Sequence, residues 1–313
     1  MGSYLLRRIL TAFGSLVGVT FVTFLLIFLV PGDPAEMVAE ARFGHAVGDR
    51  EVELVRVMVG FDQSIPTQYW RWMGHLLSLD LGHSLINRRP VLELIRSRLP
   101  ATLLLAFSSL LVSLAIALPA GLMAALRKDT WLDTGARLFA LVGVSIPGFW
   151  LSYLLIMLFS LELKLLPVSG YGGLETLVMP SLALGLGMTG LVARLLRASL
   201  LEVWQQDYLR AARANGIGEK KILFKYALKN AMIPVVTVIG LQLGMLLSGT
   251  VIIESIFGWP GLGKLLLDGI FNRDFPVVQG CVLVIACCFI MINVLVDLFY
   301  AWLDPRIRWS TGG

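Results

Sequence analysis

The chain has 313 residues, 57% of them hydrophobic and only 15% charged, with a mean hydropathy of +0.80 and a formal net charge of +5. A soluble domain of this size sits nearer half apolar and a quarter charged, so the composition excludes a wholly water-soluble chain and makes lipid a main solvent. The three cysteines, Cys281, Cys287 and Cys288, share one apolar stretch without C-x-x-C spacing, which leaves neither a disulfide framework nor a zinc site.

Six uncharged stretches follow in chain order: 9–30, 100–126, 138–161, 176–193, 231–253 and 275–296, each of 18 to 27 residues. About 20 helical residues cross a hydrocarbon core of about 30 Å, and no period-2 alternation suggests a membrane barrel. The first stretch follows Arg7 and Arg8 as a secretory signal would. Its 22 apolar residues exceed a signal core and no small-x-small site follows, so a retained anchor is expected.

Basic residues set the expected orientation. With the N-terminus in the cytoplasm, fifteen lysines and arginines fall inside, among them Arg127, Lys128 and the cluster from Arg194 to Lys229. The short outer loops hold only Lys164, Lys264 and Arg273. The eight arginines of segment 31–99 do not count, because long segments translocate largely regardless of charge. The positive charge is thus a topology signal, and nucleic acid is not an expected partner.

The expected organisation is a membrane helix over 1–30, an outer segment over 31–99, a membrane core over 100–302 and a cytoplasmic tail over 303–313. Pro31-Gly32-Asp33-Pro34 ends the first helix. Phe61, Tyr69, Trp70, Trp72, Leu76 and Leu77 give the outer segment enough apolar surface for a small folded cap.

The loop 194–230 differs from the others, with eight lysines and arginines, three acids and clear helix punctuation. Asp207 is placed to N-cap a helix over 208–214, and Asn215-Gly216 to stop it in a left-handed turn. After Gly218 a second helix starts on Glu219, puts Ile222, Leu223, Tyr226 and Ala227 on one face, and runs to Pro234, where the fifth span begins. A capped helix held between two spans can transmit a displacement that a floppy loop would absorb. An interfacial helix lying on acidic lipid has the same signature, and spacing alone does not choose.

The run Asp207-Tyr208-Leu209-Arg210-Ala211-Ala212-Arg213-Ala214-Asn215-Gly216, followed by Lys229-Asn230-Ala231-Met232-Ile233-Pro234, resembles the EAA signature of ABC importer permeases. Pro31-Gly32-Asp33-Pro34, Asp80-Leu81-Gly82-His83-Ser84, Gly143-Val144-Ser145-Ile146-Pro147, Phe257-Gly258-Trp259-Pro260-Gly261 and Leu303-Asp304-Pro305-Arg306 are similar to the peptide/nickel branch. The family's namesake Glu is absent, since Arg210 precedes Ala211-Ala212. The resemblance implies an all-α polytopic fold of six transmembrane helices, of the type I ABC importer permease kind. It implies that Asp207, Tyr208, Arg210, Ala211, Ala212, Arg213 and Gly216 couple to an ATPase subunit. The implied partners are a homologous second permease, two ATP-binding cassette subunits and an extracytoplasmic substrate-binding protein, in a bacterial inner membrane. No catalytic residue, metal or cofactor is expected on this chain, ATP and magnesium being held by the partners. Leu166–Gly173, Ala193–Ser199 and Phe271–Gln279 look closer to nickel-import permeases. This makes nickel or a nickel chelate the expected cargo and di- or oligopeptides the alternative.

Two features mislead. Gly258-x4-Gly263-Lys264 mimics a phosphate-binding loop, but Leu265 stands where Ser or Thr would hold magnesium. It is expected instead to form a tight re-entry turn into a helix over 264–271. His45, His75 and His83 suit nickel chemically but lack i, i+4 pairing, and a surface or packing role is expected. Gly185, Gly187 and Gly190, with Gly240, Gly244 and Gly249, mark close helix packing on the spans flanking the loop. Gln242, Met245 and Ser248 are the candidate path residues, with Met188 and Thr189 as weaker ones. A secondary transporter would show paired repeats and broken helices, and a membrane enzyme a convergent nucleophile, base or metal set. Neither pattern is legible here.

Overall fold

A computed structural model describes residues 2–29, 32–44 and 47–303; the side chains of 2–9, 41, 247–249 and 297–303 lie outside the description. The helices are α1 (Gly2–Leu29), α2 (Pro34–Phe43), α3 (Asp49–Val59), α4 (Ile65–Leu77), α5 (Val91–Leu126), α6 (Trp131–Ser145) and α7 (Gly148–Leu155). They continue with α8 (Leu174–Trp204), α9 (Asp207–Ala214), α10 (Glu219–Lys221), α11 (Leu228–Ile256), α12 (Leu262–Phe271) and α13 (Phe275–Leu303). Wider π-helical turns extend α7 over Ile156–Glu162 and join α10 to α11 over Ile222–Ala227. Among the described residues there is no strand, only an isolated antiparallel bridge between His83 and Pro90.

Among the described residues, five helices are long and apolar enough to cross a membrane, and six if the bent pair α6 and α7 counts as one span. The protein is therefore all-α and polytopic, as the hydropathy predicts. Hydropathy also predicts a continuous third helix over 138–161, and here the structure differs: the chain turns by 102° between Ser145 and Gly148. Pro147 sterically pushes the preceding residue out of the helical region, and Ile146 sits at φ −82°, ψ 121°. Continuity of the spans is thus not a property of this chain and does not separate it from transporters with broken helices.

The chain divides into two compact units. One comprises Gly2–Leu103 and Pro260–Ile290, the other Leu104–Trp259 with the segment from Met291. In the first, Asp33 caps α2 by accepting from the Ala35 amide at 3.0 Å, with Pro34 at the first helical position where its missing N–H costs nothing. Asp33 also pairs with Arg56 of α3. Asp274, almost fully buried, accepts from the Ser84 hydroxyl and, at 3.1 Å, from the Leu85 amide. Val91, Leu94 and Ile95 pack with Leu262, Val277 and Cys281 into a shared core.

The second unit is organised around α8. Glycines let its neighbours approach: a Cβ at Gly185 would lie 2.7 Å from the Ser109 carbonyl of α5, and one at Gly190 would lie 2.2 Å from the Ala140 carbonyl of α6. Gly121 of α5 makes the reciprocal approach to the Ala193 carbonyl, at 2.6 Å. Gly187 faces open space instead. Gly240 of α11 meets Val296.

Candidate functional site

The short helix α9 begins one residue earlier than its sequence predicts. Gln206 is the N-cap, extended at φ −70° and ψ 142°, and Asp207 is already helical. The Asp207 carboxylate makes no cap bond and instead accepts from Arg210 Nη1 at 3.2 Å. The C-terminus is as predicted. Gly216 takes φ +76°, its amide donates to the Arg213 carbonyl at 2.9 Å, and the Ile217 amide donates to Ala212 at 3.2 Å. That bond pattern is a Schellman close, in which a left-handed glycine satisfies the last carbonyls.

One face of α9 is fastened to its own unit. Leu209 and Ala212 are buried in a cluster with Leu196 and Leu200 of α8 and with Ile222, Leu223, Ala227, Ala231 and Val235. Asn230 donates to the Tyr208 hydroxyl at 2.7 Å. Arg213 donates to Glu219 at 2.8 Å, and its guanidinium lies 5.2 Å from the centre of the Trp204 ring. The other face, formed by Asp207, Arg210, Ala211 and Ala214, is exposed. The seven predicted residues thus split: Ala212 faces the core, Tyr208 and Arg213 fasten the helix, Gly216 closes it, and Asp207, Arg210 and Ala211 face outward.

Beyond α9 the helix after Gly218 does place Ile222, Leu223 and Ala227 in the core, but through a wider turn than predicted. Ile222 and Ala227, both fully buried, are five residues apart, the spacing of a π turn. Pro234 does not start a new helix. It lies inside α11, which is already helical from Leu228.

The base of α8 carries a second fastening that the sequence does not announce. Arg197 donates from Nε and Nη2 to the two carboxylate oxygens of Asp133, each at 2.7 Å. Arg137 lies 3.5 Å from the same carboxylate, which is wholly buried and also accepts from the Asp129 amide at 3.1 Å. Trp204 and Asp133 are the residues that sequence reading missed. Their signals were weak: an aromatic residue one turn before α9, and an acid in the first turn of α6. Glu254, also missed, is fully buried within α11.

The candidate path residues have unlike surroundings within this chain. The side-chain carbonyl of Gln242 is buried with no hydrogen-bond partner among the described residues, whereas Met245 is 68% exposed. The Ser248 side chain lies outside the described residues. Met188 and Thr189 are buried inside α8's packing, and the Thr189 hydroxyl donates back to Gly185 at 2.8 Å. Of the histidines, His75 Nδ1 lies 3.4 Å from Asp80 and His83 is exposed beside its bridge to Pro90. His45 lies outside the described residues. The false phosphate loop is a turn: Gly258 takes φ +62°, the Trp259 amide donates to Glu254, and α12 starts at Leu262.

Comparison with known proteins places this architecture. Residues 117–309 match the family model described as binding-protein-dependent transport system inner membrane component, and residues 1–106 match its N-terminal membrane component. The chain is 40% identical over 310 residues to the glutathione transport system permease protein GsiC of Salmonella paratyphi A, covering 99% of this chain and 100% of the relative. The same identity and coverage hold for GsiC of Escherichia coli strain K12. Among solved structures, the inward-facing MetNI methionine ABC transporter superposes with a TM-score of 0.57 at 20% identity, covering 67% of this chain and 96% of that one. An amino acid ABC transporter with histidines gives 0.54 at 18% identity, covering 66% and 93%.

Proposed function

Because the chain belongs to the binding-protein-dependent family of ABC importer permeases, we propose that it imports short peptides, with α9 as the element driven by ATPase subunits. One observation carries the coupling reading: α9 is capped, fastened to α8 and α11 on one face, and exposed on the other. A load on Asp207, Arg210 and Ala211 would be passed to two membrane helices without being absorbed in the loop. That is what a two-state permease needs if nucleotide on another chain is to bias its states.

The cargo reading departs from nickel. Whole-length relatives at 40% identity are named for glutathione transport, and glutathione is a short peptide. The complex would pair this chain with a second permease, two ATP-binding cassette subunits that hydrolyse ATP, and a binding protein. The excess of inner lysines and arginines supports cytoplasmic termini, with α9 on the ATP side.

The test is the assembled complex with its binding protein, presented with glutathione, other di- and oligopeptides, and nickel chelates. Short peptides should stimulate ATP hydrolysis. Stimulation by nickel chelates alone would overturn the cargo reading. Ala211→Trp, on the exposed face, should abolish stimulation while leaving insertion and thermal stability unchanged; full transport in that variant would sink the coupling role.

A further inference from the structure

We propose that α4, in the segment between the first two spans, lies within the lipid leaflet at the C-terminal end of α1, with Trp70 and Leu77 against lipid. The inference rests on α1 being a span and is independent of cargo and coupling.

Depth is the first argument. The uncharged part of α1 begins only after Arg8, and its apolar window is Leu10–Leu29. Thr20 falls near the middle, nine residues or about 14 Å short of Leu29, against a half-thickness of about 15 Å for the hydrocarbon core. Yet the Thr20 hydroxyl is 3.0 Å from the Tyr69 hydroxyl of α4. The Tyr69 ring lies edge-on to Phe21 at 5.8 Å and to Phe24 at 5.4 Å, and Trp72 lies 5.9 Å from Phe24. Phe24 itself is five residues, about 7.5 Å, below the end of α1. A helix packed there sits below the end of the apolar span, at the depth where interfacial helices rest.

The pattern on α4 is the second argument. Gln68, Tyr69 and Trp72 face α1 and the unit's interior. A second stripe, Pro66, Trp70, Met73 and Leu77, carries no charge, and its Trp70 is 70% and Leu77 80% exposed. Thr67, Arg71, His75 and Ser78 form a polar edge beside it. An apolar stripe bordered by a polar one, with tryptophan between them, is how a helix lies in a bilayer surface. Beside Tyr69, Phe21 continues an exposed row of α1 with Phe13 and Val17, which a span presents to lipid. An apolar patch of this kind in water would be an aggregation liability.

Photocrosslinking decides it, in native membrane vesicles carrying the complete transporter, with p-benzoylphenylalanine in place of Trp70, Leu77 or Arg71. Phospholipid adducts, read by mass spectrometry, are expected at 70 and 77 with several-fold higher yield than at 71. Adducts from 70 and 77 to a protein chain would assign the face to a partner subunit and overturn the proposal. Absent lipid adducts at 70 and 77 would place the helix in water, equal adducts at all three positions would deny a lipid-facing stripe, and either result overturns it. Should the probe at 70 prevent assembly, quenching by brominated lipid decides the same question: Trp70→Phe should lose quenchable emission, and unchanged quenching would refute lipid contact.

Discussion

Arg197 of α8 grips both carboxylate oxygens of Asp133 in α6, 64 positions away in sequence, and that carboxylate is wholly buried. The pair ties the start of the broken third span to the helix that leads into α9. Removing Asp133 strands Arg197, and removing Arg197 leaves the buried carboxylate only Arg137 at 3.5 Å and the Asp129 amide; breaking a buried pair costs up to about 3–5 kcal/mol, whereas an apolar pair of similar volume is often neutral. Asp133→Ala or Arg197→Ala should therefore lower the thermal midpoint of the detergent-purified chain sharply. The joint change Asp133→Leu with Arg197→Met should recover most of it. Wild-type stability in either single variant would remove the pair from the account.

The glycines of α8 predict opposite outcomes three residues apart. A methyl at Gly190 would press to 2.2 Å from the Ala140 carbonyl, while one at Gly187 meets nothing within 4 Å. Overpacking of this kind costs about 1–3 kcal/mol. Gly190→Ala should lose stability in a thermal-shift assay, and Gly187→Ala should match or exceed the parent.

At Gly216 the constraint is the backbone alone. Its φ of +76° is unfavourable for L-residues, yet a Cβ there would touch nothing. Gly216→Ala is expected to cost about 1–2 kcal/mol and to speed amide exchange around the end of α9. Gly216→Asn, better tolerated in the left-handed region, should fall between the two.

Tyr208→Phe tests the tether to Asn230. One exposed hydrogen bond contributes at most about 0.5–1.5 kcal/mol, so the fold should persist. Amide exchange within α9 should quicken, and ATPase stimulation should drop with it. Unchanged exchange would mean that the buried Leu209 and Ala212 hold the helix unaided.

What the sequence reveals divides along physical lines. Span number follows from apolar length, and the end of α9 follows from Asn215-Gly216, because both are local signals. The bend at Ile146-Pro147 had its local signal too, but hydropathy averages over it: apolar residues continue on both sides of a turn that reverses no polarity. Asp207 differs by one position, since its carboxylate finds Arg210 one turn on. Pro234 is absorbed because a long helix with tertiary support can lose one backbone bond. Asp133 with Arg197, and Trp204 with Arg213, are contacts across elements, and no spacing rule reaches them. Met188 and Thr189 sit on a helix packed on several sides, so their contacts within this chain are those of packing residues.

The π turn over Ile222–Ala227 has a consequence for evolution and engineering. Each residue of an α-helix advances the azimuth by about 100°, so a turn with one extra residue works as a vernier between α9 and α11. Deleting one residue there would restore a tight turn and swing everything before it, α9 included, by about 100° around the axis of α11. The direction in which α9 lies from α11 is therefore set by the length of this turn, while its exposed face is set by its own residues, and a chimera grafting the loop from a relative must carry both.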